Sequence, residues 1–405
     1  MPSGQSREGW TLREINKVTY QIGVIQFPGS NCERETKLAL IRAQLNPVDI
    51  FWFDDLEKLK KCDGYVIVGG FSFEDRARSG VIASKDPMIK ALTNEAKMGK
   101  PILGICNGAQ ILVESGLVPG CVNDQGELQT VMALAHNRRI KDNKVVGTGF
   151  YNTWIDMQSD QSPMLHVPVA HGEGRFLMSD DLYDELKKSN VECWYYIGEN
   201  PNDAYQNLAA VGNFSGNVLA MMPHPERTVD GNFVFDEMRK KIENKNQFQW
   251  VTQKNTFVKK PEVKTEKFAK HYFVKLNITD NEAVSVEMTL KQMGLSVGVK
   301  KYRFWGANAD PKDLKAIENS YELWNAQKET VLSDLPKKEN TQFLLVTDFG
   351  DTLATQKKER LNTASLSDLK TGIVWELSGS PDNITKAIDS HLLFNPVSQT
   401  AVTIT

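Results

Sequence analysis

No apolar run in this 405-residue chain approaches the roughly 20 residues that a membrane-spanning helix requires. The opening MPSGQSREGWTLREINK is polar and charged, without the apolar core of a signal peptide. A membrane or secreted protein is therefore not expected. Cysteine is scarce and odd in number, with five residues (Cys32, Cys62, Cys106, Cys121 and Cys193) that show no metal-ligand spacing. That pattern argues against a disulfide framework and a zinc site, and for a reducing compartment, so no metal is expected and the location expected is cytoplasmic. GxxxxGK[ST] is missing as well, which removes the commonest sequence sign of ATP binding. A net charge of −3 gives no overall pull toward nucleic acid or membrane. What the chain does have is 40% hydrophobic content, enough for a sizeable core in two or three domains.

From Tyr20 to about Lys241, short β-rich runs alternate with longer helical stretches. Strands are expected at Ile22–Phe27, Val48–Phe53, Gly64–Val68, Pro101–Ile105, Ala209–Gly212 and Val218–Met222, and helices at Glu33–Leu45, Pro87–Met98 and Gly108–Glu114. The alternation predicts an α/β domain over 20–240 with a largely parallel sheet, its site beyond the carboxyl ends of the strands. Residues 241–268 are lysine-rich and polar, which reads as a linker. Interrupting glutamates and asparagines weaken any case for a nucleic-acid patch there.

Residues 269–405 show an internal echo. Phe273 and Phe343, Lys300 and Lys370, Trp305 and Trp375, Pro311 and Pro381, Leu323 and Leu393, and Asn325 and Asn395 all stand seventy positions apart. The reading is an α+β domain with a tandem repeat, 269–335 and 340–405, each copy running strand, helix, strand and a proline-opened helix. The helices are expected over PKDLKAIENSYELWN and PDNITKAIDSHLLFN. A chance alignment is the competing explanation. The matched residues are apolar or turn-forming and carry no chemistry.

The chemistry lies in the first domain. Cys106 sits in GICNGAQ, after the apolar Pro101-Ile102-Leu103 and before a helical run. A nucleophile at a sharp strand-to-helix turn needs small neighbours, which Gly104 and Gly108 supply, and the helix N-terminus favours thiolate. A thiol nucleophile needs a base and a group to orient it; MPHPER offers His224 and Glu226, two residues apart in an extended stretch stiffened by Pro225. A turn whose histidine merely caps a strand end is the competing reading. Gly69-Gly70-Phe71 after a strand would let backbone amides face a ligand, as would the Asn107 amide.

FPGSN (27–31), GGFS (69–72), GICNGAQ (104–110), PVAHGEG (168–174) and MPHPER (222–227) occur in the same order as in the glutaminase subunit of phosphoribosylformylglycinamidine synthase, PurQ. The chain resembles that family, a branch of the class I glutamine amidotransferases, over roughly 20–240. The resemblance implies a flavodoxin-like fold with Cys106 as nucleophile, His224 as base and Glu226 as its orienting partner. It also implies an oxyanion hole from Gly70, Phe71 and the Asn107 amide, and a glutamine pocket lined by Gln110, His171, Gly172 and Glu173. The chain departs from the family's usual GFSYGDYLRAG at GFSFEDRARSG, with Glu74 for glycine and Arg76 for an aromatic. His136 and Arg138 lie in a stretch that fits loosely and receive no role.

GIVWELSG, the helix into HLLFNPV and the closing TAVTIT resemble PurS, the small accessory subunit of the same synthase. The combined expectation is a PurQ-like glutaminase fused to a duplicated PurS-like module. It would hydrolyse glutamine and feed ammonia to a separate synthetase subunit, PurL, with ATP and magnesium held by that partner and no cofactor in this chain. Three alternatives stay open: an amidotransferase of another pathway, a peptidase or chaperone of the DJ-1 type, and a non-enzymatic scaffold.

Overall fold

A computed structural model of the chain describes residues 20–245, 248–258, 267–336, 338–350 and 352–404. The first unit opens with β1 (Gln21–Gln26), α1 (Glu33–Arg42), β2 (Asn46–Phe51), α2 (Glu57–Lys60), β3 (Gly64–Ile67), α3 (Val81–Ser84), α4 (Pro87–Lys97), β4 (Ile102–Ile105) and α5 (Asn107–Glu114). A run of strands follows: β5 (Cys121–Val122), β6 (Ala133–His136), β7 (Arg138–Lys141), β8 (Lys144–Thr148), β9 (Tyr151–Ser159), β10 (Leu165–His171) and β11 (Glu173–Leu177). Then come α6 (Asp180–Lys188), β12 (Cys193–Ile197), β13 (Leu208–Gly212), β14 (Val218–Met221), α7 (Asn232–Glu243) and β15 (Gln253–Lys254).

Nine of these strands form one sheet in the order β10-β9-β12-β13-β14-β4-β3-β1-β2. From β14 to β2 the pairings are parallel, and from β10 to β14 they are antiparallel. The largely parallel sheet expected from the alternation is thus half realised: β10, β9, β12 and β13 build an antiparallel half, with α6 in the connection from β10 to β12. The β1, β3 and β4 side chains are buried almost throughout, as central parallel strands covered on both faces must be. Helix starts follow local chemistry: Asp86 accepts the Met88 N–H ahead of Pro87 at α4, and Ser179 accepts the Leu182 N–H at α6.

Part of the expected linker is attached to the first unit. Helix α7 runs on to Glu243, β15 pairs with β5 in parallel, and Trp250 and Phe257 pack half-buried on the first core. Those apolar residues were hidden in the lysine-rich composition; positions 246–247 and 259–266 of the linker lie outside the described residues.

The C-terminal unit contains β16 (Lys270–Leu276), α8 (Asn281–Gln292), β17 (Val297–Asn308), α9 (Pro311–Ser320) and β18 (Glu329–Leu332), then β19 (Thr341–Asp348), α10 (Thr352–Leu361), β20 (Asp368–Gly379), α11 (Pro381–Asp389) and β21 (Gln399–Ile404). Its six-stranded antiparallel sheet runs β18-β16-β17-β20-β19-β21. At the middle of the long β17–β20 ladder Arg303 faces Ile373, seventy positions later in the chain, so both halves extend from that point in the same element order. Helices α9 and α11 stop earlier than the sequence suggests. Tyr321 and His391 turn left-handed (φ 52° and 57°), and Leu323 and Leu393 are buried beyond the turn. No helix among the described residues is long and apolar enough to cross a membrane.

Helix α5 lies against β3 so closely that a Cβ added at Gly108 would fall 2.1 Å from the Ile67 carbonyl oxygen. Gly108→Ala should therefore cost about 1–3 kcal/mol or more, read as a lowered Tm; an unchanged Tm would show that α5 can move away from the sheet.

Candidate active site

The turn from β4 into α5 places Cys106 at φ 51°, ψ −105°, a conformation disfavoured for any residue with a Cβ. The backbone around it is fully committed. The Cys106 N–H donates to Met221 O at the end of β14 (2.8 Å), and the Gln110 N–H returns to Cys106 O (3.1 Å). The thiol is buried, with Sγ 3.7 Å from the Ala170 carbonyl on β10.

Met221 also begins the path to His224. Just beyond it, His224 anchors its N–H on Pro168 O (2.9 Å), and Pro225–Arg227 then form a single 3-10 turn. The extended geometry expected for 224–226 is therefore absent. The tight turn, with Pro225 fixing its start, brings the two side chains together: His224 Nδ1 and Glu226 Oε1 are 2.6 Å apart and both residues are about 1% exposed. With Glu226 ionised it accepts from Nδ1, leaving Nε2 open to a ligand; Nε2 is buried and makes no hydrogen bond to a described residue. Burial disfavours charge on His224, but Glu226, followed by the Cys106 and Cys32 thiols, outweighs it and holds the imidazole well above its ordinary pKa.

Gly69 shows how closely these groups converge. A Cβ there would lie 3.1 Å from both Cys32 Sγ and His224 Cε1, and 3.5 Å from Cys106 Cβ. Cys32, beside the FPGSN motif, is thus a second thiol at the site, and its Sγ accepts from Arg227 Nη2 at 3.3 Å. Cys32, His224 and Glu226 also bring potential ligand atoms within 4.8 Å of one another, a set able to take a soft divalent cation. The set shares His224 and Glu226 with the pair just described, so a cation there would compete with their hydrogen bond.

The groups expected to bind glutamine meet on the other side of Cys106. The Phe71 N–H donates to Gly29 O (2.9 Å), so its amide is already used and cannot serve an oxyanion here. Gly70 and Asn107 remain, the latter because the first residue of a helix keeps its N–H outside the intrahelical ladder. Gln110 offers no free group either: Nε2 donates to Glu173 O (2.6 Å) and Oε1 accepts from Asn107 Nδ2 (2.9 Å), so it braces the wall. His171 is buried, and burial together with His224 lowers its pKa to about 3, which keeps it neutral. The Gly172 carbonyl accepts the Asn137 N–H (2.8 Å), and Glu173 Oε2 accepts the Ser79 N–H (3.2 Å).

Two further residues received no role from the sequence, although Asp75 matches the aspartate of the family's GFSYGDYLRAG. Asn137, in the loosely fitting stretch, donates to His171 O (2.6 Å) and accepts from the Gly174 N–H (3.0 Å), fixing the turn before Glu173. Asp75 accepts from Asn107 Nδ2 at 3.4 Å, and burial first, then the charge of Glu173, raises its pKa to about 7. His136 approaches Glu173 at 3.6 Å, while Arg138 pairs with Asp203 at 2.6 Å.

Residues 19–256 match the family of CobB/CobQ-like glutamine amidotransferase domains. Phosphoribosylformylglycinamidine synthase subunit PurQ of Methanothrix thermoacetophila is 38% identical over 265 residues, covering 56% of this chain and 99% of the relative. Among solved structures, PurLQS from Thermotoga maritima aligns at 29% identity and a TM-score of 0.45, over 56% of this chain and all of that one. A glutamine amidotransferase from Thermotoga maritima aligns at 14% identity and a TM-score of 0.33, over 56% of this chain and 86% of that one.

A carboxylic acid with a raised folded pKa binds its proton more tightly in the native state, so its contribution to stability is full at low pH and is lost as pH rises toward 7. Asp75→Asn removes that loss. Its Tm should exceed wild type at pH 8, with the gain shrinking at pH 5; an equal or lower Tm at pH 8 would contradict the raised pKa.

Proposed function

Since the chain belongs to the CobB/CobQ-like glutamine amidotransferase family through residues 19–256, we propose that it hydrolyses glutamine at Cys106 as the glutaminase component of phosphoribosylformylglycinamidine synthase. The observation that carries the reading is a nucleophile on a strained elbow beside a buried His224–Glu226 pair at 2.6 Å. The purine assignment draws on the PurQ relative, matched over 99% of its length.

The chemistry follows from the positions of the groups. The Cys106 thiolate attacks the side-chain amide carbon of glutamine, and the Gly70 and Asn107 amides stabilise the oxyanion. Protonated His224 gives its proton to the leaving nitrogen, releasing ammonia and a γ-glutamyl thioester. Water then attacks the thioester, His224 takes its proton, and glutamate leaves as the thiol reforms. Glu226 holds the imidazole tautomer throughout. Asp75 and Glu173, two carboxylates that influence one another electrostatically, would receive the α-ammonium group of glutamine.

Ammonia would pass to a separate PurL-type synthetase that holds ATP and magnesium. The C-terminal unit is read as a duplicated PurS-like module that bridges the two. Supporting the duplication are the repeated element order, the Arg303–Ile373 centre of the long ladder and the paired left-handed helix ends.

Cys106→Ala should abolish ammonia release from glutamine, and Glu226→Gln should lower kcat by roughly 10²–10⁴-fold through loss of the correct tautomer. Wild type alone should hydrolyse glutamine slowly and be strongly stimulated by the synthetase with its nucleotide and formylglycinamide ribonucleotide. Fast turnover that the synthetase leaves unchanged would sink the coupling, and activity surviving Cys106→Ala would sink the site.

A further inference from the structure

Helix α5 carries an electrostatic difficulty at the end away from Cys106. Its last residue, Glu114, places a buried carboxylate at a helix C-terminus, where the helix dipole opposes negative charge. Arg78 answers with a bidentate pair, Nε to Oε1 (3.1 Å) and Nη2 to Oε2 (2.9 Å). Asn395 adds a bond from Nδ2 to Oε1 (3.1 Å) and another to Met132 O (3.1 Å). Arg78 also donates to His391 O (2.7 Å) and Leu392 O (3.2 Å), the chain just beyond α11. The charge and its counterion thus both belong to the first unit, and the C-terminal unit orders them through the Asn395 amide and the His391 and Leu392 carbonyls.

This node holds the loop 71–80. Phe73, Glu74, Asp75 and Ala77 all have positive φ (51°, 58°, 54° and 64°), although none is glycine. Left-handed backbone is disfavoured for such residues, so contacts from outside must keep the loop in shape. The C-terminal unit supplies them: Arg76 donates to Ser285 Oγ on α8 (2.7 Å), and Val81 and Ile82 are buried in one cluster with Val286 and Leu290. On its other face the loop reaches the pocket, where the Ser72 N–H donates to Asn107 Oδ1 (3.0 Å) and the Ser79 N–H to Glu173 Oε2 (3.2 Å).

We propose that the C-terminal unit is a working part of the glutamine site, with Arg78, Glu114 and Asn395 as positioning residues that fix the 71–80 loop against Asn107 and Glu173. The proposal rests on the glutaminase reading above. It also gives a use to Arg76, which departs from the family pattern.

The internal echo supplies a control. Asn325 occupies the same kind of turn as Asn395: their Oδ1 atoms accept the Gln327 and Val397 N–H groups (3.0 and 2.9 Å), and their carbonyls accept those of Glu329 and Gln399 (2.9 Å each). Asn325, however, is exposed, whereas Asn395 is fully buried against the first unit.

Glutamine kinetics and hydrogen exchange on the full chain test the proposal. Asn395→Ala and Arg78→Lys should each raise KM for glutamine about tenfold, within the usual range of coupling between sites, and speed exchange in 71–80 while the β17–β20 ladder stays protected. Asn325→Ala should match wild type in all three readouts. Wild-type KM and exchange in Asn395→Ala would overturn the proposal, as would equal losses in Asn325→Ala and Asn395→Ala. If wild type hydrolyses no glutamine, the glutaminase reading fails, and exchange in 71–80 still decides whether the C-terminal unit holds the loop.

Discussion

The left-handed backbone at Cys106 is the constraint on which the rest depends. It is disfavoured locally and must be held by its surroundings: the Met221 carbonyl on the amide, α5 pressed onto β3 through Gly108, and β4 fixed between β3 and β14. In return it brings the thiol to the carboxyl end of the sheet, next to the turn that carries His224. The parallel half of the sheet therefore presents Cys106, and the antiparallel half, through Pro168, Ala170 and His171 on β10, closes the wall behind it.

The His224–Glu226 pair shows why burial matters at such a site. A charged imidazole is costly in a dry interior, yet Glu226 at 2.6 Å and the two thiols reverse the balance. His171, buried nearby without a carboxylate, is pushed the opposite way and stays neutral. Two histidines in one site thus have opposite charge preferences, set by which one has an acid beside it. Only the histidine with the carboxylate is biased toward holding a proton.

Much of this was legible in the sequence because the motifs are local. G-I-C-N-G specifies a turn, and H-P-E specifies two side chains that a proline keeps close. The backbone at 69–71 was less legible, since whether the Phe71 N–H is free depends on Gly29, forty-two positions earlier. Asp75 and Asn137 were missed because their importance arises from burial and from neighbours distant in the chain. The helix ends at Ser320 and Asp389 were missed for a different reason: Leu323 and Leu393 continue the helical apolar pattern but reach burial by leaving the helix. In the second half of the C-terminal unit that departure frees Asn395 to meet Glu114.

The most direct test of the central claim is mass spectrometry of acid-quenched protein during glutamine turnover. The account predicts a γ-glutamyl adduct on the peptide containing Cys106 and on no other cysteine, absent from Cys106→Ala. Ammonia release without that adduct, or an adduct on Cys32 in its place, would contradict it.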